Sequence, residues 1–146
     1  MPRVVLDTNA FLDCWVFGDA SALPLRLALE TRRLAAVRSS DTDAELRDVL
    51  ARPLFALSPA DQVARRAAWS ALAQAIDPVP SGASRLRCTD PDDQMFIDLA
   101  LAAGARALFT KDKALLAVAR PARALGLLVL APAGADSVRF VEDERA

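Results

Sequence analysis

The sequence predicts an α/β fold in which a parallel sheet carries helices on both of its faces. Two observations support this prediction. Short apolar segments, typical of buried parallel strands, alternate along the chain with longer segments of helical period. Asp7 and Asp112 also follow two of the apolar segments closely, and the carboxyl ends of strands are where ligand sites lie in such sheets. There is no internal repeat and no linker, so we expect residues 1–146 to form one domain.

The first third of the chain predicts two strands and two helices. Arg3–Leu6 is apolar and β-branched and predicts the first strand, and residues 10–17 predict a short helix that Gly18 ends. A cap at Asp19 or Ser21 predicts a second helix to about residue 33, followed by a strand at 34–38. The buried stripe of that helix is predicted to contain Leu23, Leu27 and Leu34.

The middle of the chain predicts two further helices. Ser40, with Asp43 three residues later, predicts a capping box for a helix at 41–51. Ser58 followed by proline predicts a helix to about residue 76, and a short edge strand is expected at 77–80. A loop at 81–89 follows.

The last third begins with an acidic cluster and ends with a polar tail. Asp90 is the predicted cap of a helix that ends at Gly104. Residues 107–110 and 127–130 predict the remaining strands, Asp112 opens a helix between them, and the tail is expected to fray from Glu142.

Composition excludes several classes of chemistry. The chain has no histidine, which excludes Ser-His-Asp triads and zinc–histidine sites. Any metal should therefore be a hard ion held by oxygen, such as Mg²⁺ or Mn²⁺.

The net charge of the chain is only −1, but the charges are unevenly distributed. Once six acids that could share one cleft are set aside, 13 acids face 18 bases, and an acidic pocket on a mildly basic body suits a metal site that receives a polyanion. These six are Asp7, Glu45, Asp90, Asp92, Asp93 and Asp112.

Localisation follows from what the sequence lacks. The first nine residues do not resemble a signal peptide, and the longest apolar segment, near 124–135, is interrupted by glycine and proline. Cys14 and Cys88 form no C-x-x-C pair and are expected to be reduced, buried thiols. We therefore expect a cytoplasmic protein with no membrane association.

Four separated carboxylates are the candidate site. Asp7 ends an apolar strand, and Asp112 follows another; either could simply cap the next helix. Asp93 is expected at the third helical position, at the head of a buried face, although Asp90 and Asp92 are adjacent alternatives. Glu45 lies at the edge of an apolar stripe and could equally be a solvated acid. Together they predict a crevice in which one or two metal ions would relieve charge repulsion and activate water.

Four motifs in this order resemble PIN-domain proteins. They are VVLDTN at 4–9, ELRDVL at 45–50, DPDD at 90–93 and LFTKD at 108–112. The DPDD motif and the ELRDVL motif, which Arg52-Pro53 soon follows, resemble the bacterial branch of toxin–antitoxin PIN toxins. The resemblance implies a three-layer α/β/α fold with a parallel sheet of four or five strands, Mg²⁺- or Mn²⁺-dependent ribonuclease activity, homodimerisation and inhibition by a small antitoxin. It assigns the catalytic, metal-binding acids to Asp7, Glu45, Asp93 and Asp112, with support from Thr8, Asn9, Asp90 and Thr110.

RNA binding needs positive charge near the acids, for which Arg85, Arg87, Lys111 and Lys113 are candidates by proximity.

Three alternatives to a metal-dependent ribonuclease stay open. A haloacid-dehalogenase-type phosphohydrolase acting on small phosphoesters would need an aspartate at Asn9, and a receiver domain would need an acidic pair near the first strand. A catalytically weak PIN-like module that binds RNA or protein is the third alternative.

Overall fold

Five short parallel strands form one sheet in the computed structural model, which describes residues 1–80 and 85–143. Their order is β3-β2-β1-β4-β5, and every neighbouring pair is parallel. The strands are β1 (Arg3–Leu6), β2 (Ala35–Arg38), β3 (Gln74–Ala75), β4 (Ala107–Phe109) and β5 (Leu128–Leu130). This arrangement confirms the expected α/β fold with a parallel sheet.

Helices cover both faces of the sheet, which gives three layers. Alternate residues of β1 point to opposite faces, so Val4 and Leu6 join one hydrophobic cluster and Val5 joins the other. The first cluster includes buried residues of α1–α4 and α8, and the second those of α5–α7. The helices are α1 (Thr8–Trp15), α2 (Leu23–Glu30), α3 (Ser40–Leu50), α4 (Pro59–Leu72), α5 (Gln94–Ala103), α6 (Lys113–Leu116), α7 (Ala119–Ala124) and α8 (Ala135–Asp143).

Helix α2 buries a different stripe from the one expected. Asp19 caps a 3-10 turn over Ala20–Ala22, and α2 begins only at Leu23. The predicted stripe of Leu23 and Leu27 is wrong, because the helix packs on another of its faces and leaves these side chains 46% and 44% exposed. Leu34 is buried but lies beyond the helix. The buried stripe is Leu25, Ala28 and Leu29.

The cap of α3 lies one residue earlier than predicted. Ser39 is extended because it directly follows β2, and its hydroxyl accepts from the N–H of Thr42 at 3.2 Å. Thr42 completes the capping box by accepting from the N–H of Ser39 at 2.9 Å. Ser40 is therefore the first helical residue, and Asp43 forms an ion pair with Arg38 at 2.6 Å instead of closing the box.

The predicted edge strand at 77–80 is also displaced. Arg32 donates to the carbonyl of Leu72 at 3.0 Å, where α4 ends, and β3 then pairs with β2 at Gln74–Ala75. Near the chain end, α8 buries Ser137, Phe140 and Val141 on one face and extends through the first two residues of the expected tail, to Asp143. Part of the predicted 81–89 loop, residues 81–84, and the end of the tail, 144–146, lie outside the described residues. No helix in the described ranges is long and apolar enough to cross a membrane.

Candidate active site

Asp7 lies at the carboxyl end of β1, in the centre of the sheet, and is 3% exposed. It is extended and caps α1, because its Oδ1 accepts from the N–H of Ala10 at 2.8 Å. Its Oδ2 accepts a short hydrogen bond from the hydroxyl of Thr110. The capping role and a functional role are therefore compatible, since only one oxygen serves the helix.

Thr110 joins the ends of the two central strands. It follows β4 directly and is fully buried. Its Oγ1 accepts from the N–H of Asp112 at 2.9 Å, so its own proton is directed to Asp7. The polar supporting role expected of Thr110 thus has a definite geometry: one hydroxyl orients one acid and fixes the backbone of another.

Asp112 is the N-cap of α6. Its Oδ1 accepts from the N–H groups of Ala114 at 2.8 Å and Leu115 at 3.3 Å. The neighbouring β1 and β4 are in register over Val4–Leu6, so their ends bring Asp112 near Asp7, whose pKa its charge raises. The strand-end juxtaposition predicted from sequence is present.

Asp93 occupies the position just before α5, and the predicted helix start at Asp90 is wrong. Asp90 instead organises a turn: its side chain accepts from the N–H of Asp92 at 2.9 Å and its carbonyl from that of Asp93 at 3.1 Å. Asp93 has αR backbone angles and makes no side-chain cap bond to α5. Its carboxylate is therefore not used by the helix, and its buried Oδ2 has no hydrogen-bond partner among the described residues.

Two carboxyl groups in this cluster, those of Asp93 and Asp7, have raised pKa values. Burial raises the pKa of Asp93 to about 7, with further contributions from the charges of Asp112 and Asp90, a hydrogen bond with Asp112 and the charge of Asp7. Burial also raises the pKa of Asp7 to about 6, although the bonds from Thr110 and Ala10 oppose the shift. Burial is the main cause of both shifts and repulsion between the acids adds to it, and a bound cation would favour the ionised form of each carboxyl group.

Glu45 is half-buried on α3, which packs against α1 and α5. No hydrogen bond or ion pair in the described ranges joins it to the other three acids. Within those ranges, no three acidic or cysteine side chains are arranged to hold a metal ion. The structure thus brings together Asp7, Asp93 and Asp112, whereas Glu45 lies on α3 and is not joined to them.

The supporting residues lie around this centre. Thr8 is half-buried and lines a small crevice with Asp7, Thr42 and Phe96, whereas Asn9 and Asp90 are exposed. The cationic candidates are all exposed: Arg85, Arg87, Lys111 and Lys113.

Asp13 is a buried acid near the site that sequence reasoning missed. It lies on α1, is 4% exposed, and holds the Nζ of Lys111 at 2.8 Å. Its charge also contributes to the raised pKa of Asp7. The available signal was an aspartate inside the apolar segment of Phe11, Leu12 and Cys14, where burial requires a partner.

Comparison with known proteins gives one finding. A family model described as PIN domain matches residues 3–114, which run from β1 into α6 and contain all four candidate acids. No curated protein and no solved structure gives a significant match.

Proposed function

This chain belongs to the PIN-domain family, whose fold is that of a nuclease, and we propose that it is a metal-dependent ribonuclease that hydrolyses phosphodiester bonds in RNA. The observation that carries the proposal is the buried Oδ2 of Asp93, beside Asp112 and Asp7, which has no hydrogen-bond partner among the described residues. A carboxylate oxygen in that state lacks a cation or a proton donor.

The residues present fit a hard divalent ion, Mg²⁺ or Mn²⁺. Every candidate ligand is a carboxylate, and the chain contains no histidine. The Oδ2 of Asp93 has no hydrogen-bond partner among the described residues, and burial, with the charges of neighbouring acids, raises the pKa values of Asp7 and Asp93, which a bound cation would lower. A bound ion of this kind supplies Lewis-acid polarisation of the phosphodiester and lowers the pKa of water. We propose Asp7, Asp93 and Asp112 as its principal ligands and Glu45 as the ligand that approaches from α3.

The chain's own residues supply orientation and charge. Thr110 holds the Oδ2 of Asp7, and the first turn of α6 holds the Oδ1 of Asp112, so the rotamers of both acids are restricted before any ligand arrives. We propose that Arg85, Arg87, Lys111 and Lys113 receive the phosphates of RNA, with Thr8, Asn9 and Asp90 in supporting positions. Lys111 is kept at the rim by its ion pair with Asp13.

The biological role that we propose is that of the toxin in a toxin–antitoxin pair, acting in the cytoplasm as a homodimer under the control of a small antitoxin. Its support is the likeness of the 45–50 and 90–93 motifs, with Arg52-Pro53, to the toxin branch of the family. A short reading frame beside the gene, encoding a DNA-binding N-terminus, is the observation that tests this role.

A binding-only module is the competing proposal, and it is favoured by the lack of an assembled three-ligand set in the described residues. Cleavage of an end-labelled structured RNA by the full chain separates the two. The nuclease proposal requires cleavage with Mn²⁺ that EDTA abolishes. RNA binding without cleavage in Mn²⁺ and in Mg²⁺ would favour the module.

A further inference from the structure

A groove of about 470 Å³ runs along β5, at the opposite side of the sheet from β3. Strand β5 forms its floor, and α7 and α8 form its walls. The two walls belong to opposite faces of the sheet, since Ala122 of α7 packs in one hydrophobic cluster and Phe140 of α8 in the other. The groove therefore encloses the open edge of the sheet rather than one of its faces.

The backbone of β5 presents unpaired polar groups to this groove. Leu128 donates to the carbonyl of Arg106 at 2.9 Å, and Leu130 accepts from the N–H of Thr110 at 2.9 Å, so both turn their main chains towards β4. In a parallel pair the main-chain groups of alternate residues point in opposite directions. The N–H and C=O of Val129 therefore point away from β4, towards the groove. An edge of this kind is a template for another strand.

Four arginines line the groove, two of them on α7. Arg120 and Arg123 lie on α7, whereas Arg139 lies on α8 and the guanidinium of Arg106 lies 6.0 Å from the centre of the Phe140 ring. Among the described residues, the acids that line the groove are Asp136 and Asp143, both on α8, and Asp136 faces Arg139 in an exposed ion pair at 3.7 Å. The excess of positive charge beside the open strand edge therefore lies on the α7 wall, at Arg120 and Arg123.

We propose that this groove binds an extended, acidic segment of a protein partner, which adds to β5 as a sixth strand. The main chain of the segment would pair with Val129. Successive side chains of a strand point to opposite sides, so acids at alternate positions of the segment would reach Arg120 and Arg123 on α7. Single-stranded RNA would satisfy the arginines, but it has no regular pattern of donors and acceptors to match a strand edge. The proposal does not depend on ribonuclease activity.

The test uses the full-length chain and a fluorescein-labelled peptide of about ten residues in which pairs of glutamates alternate with pairs of valines. Fluorescence anisotropy measures binding, and hydrogen exchange followed by NMR measures protection of the Val129 amide. We expect saturable binding, protection of that amide, and affinity weakened about fivefold or more in the Arg120→Gln, Arg123→Gln double variant. The matched control is the Arg47→Gln, Arg52→Gln variant, which removes two exposed arginines elsewhere and should bind as the parent does.

A second peptide separates strand addition from charge attraction without altering the protein. It has the same side chains, but alternate backbone nitrogens are methylated so that one edge cannot pair. We expect it to lose binding. Absence of binding by the first peptide, equal binding of both peptides, or equal affinity of the Arg120/Arg123 variant would each overturn the proposal. So would an unstructured oligouridine RNA that binds the groove through the same arginines while the peptide does not.

Discussion

The hydroxyl of Thr110 donates to the Oδ2 of Asp7 across the ends of the two central strands. The same hydroxyl accepts from the N–H of Asp112 at 2.9 Å. A single buried side chain therefore sets the orientation of one candidate ligand and the backbone position of another.

Replacing Thr110 with valine keeps its shape and removes this hydroxyl. We expect a loss of roughly 1–3 kcal/mol in the free energy of unfolding, because a buried oxygen of Asp7 loses its donor. We also expect a lower kcat and a pH–rate profile that moves to higher pH, since the hydrogen bond from Thr110 lowers the pKa of Asp7 in the parent chain. Thr110→Ser restores the hydroxyl and should recover the profile. A valine variant with an unchanged pH profile would remove Thr110 from the site.

Asp7→Asn should abolish metal-dependent cleavage and leave the fold intact. The amide oxygen can still accept from the N–H of Ala10, so the cap of α1 survives, while the negative charge is lost. Cleavage of labelled RNA measures the first effect, and circular dichroism with thermal unfolding measures the second. The matched control is Asp48→Asn, which changes an acid whose side chain is 73% exposed. Undiminished activity of Asp7→Asn would refute the site.

The Glu45→Gln and Asp93→Asn variants should each bind Mn²⁺ more weakly than the parent in isothermal titration calorimetry. Each substitution removes the charge of a proposed oxygen ligand at nearly constant volume. Asp61→Asn changes an exposed acid on α4 and should leave the affinity unchanged. If both site variants kept the parent affinity, the ligand set would have been wrongly chosen. If only Glu45→Gln kept it, α3 would not contribute a ligand.

Without metal, stability should fall as the pH rises from about 4 to about 7. The pKa of Asp7 is raised from 3.8 to about 6 in the folded state, so the folded chain holds a proton that the unfolded chain has lost within that window. The penalty for ionising Asp7 is about 3 kcal/mol. The raised pKa of Asp93 acts in the same direction. Urea unfolding in EDTA at several pH values measures the slope.

Asp7→Asn cannot ionise at this position, so it should flatten that slope and be more stable than the parent near neutral pH. Saturating Mn²⁺ should have a similar effect on the parent, because binding stabilises the ionised carboxylates. A parent chain whose stability is constant across this window would contradict the raised pKa values.

The sequence by itself determined the sheet and the place of the central acids. Parallel strands end at a common edge, so residues that follow two apolar segments must come together there, and Asp7 and Asp112 do. Tertiary structure decided the rest. The Asp90 turn delays α5 and leaves Asp93 uncapped, and packing of α1 buries Asp13 against Lys111. The groove at β5 depends on α8, whose burial arises only when it packs on the sheet. Strand ends follow from local pattern, whereas helix starts, buried ion pairs and open edges depend on which surfaces meet in the folded chain.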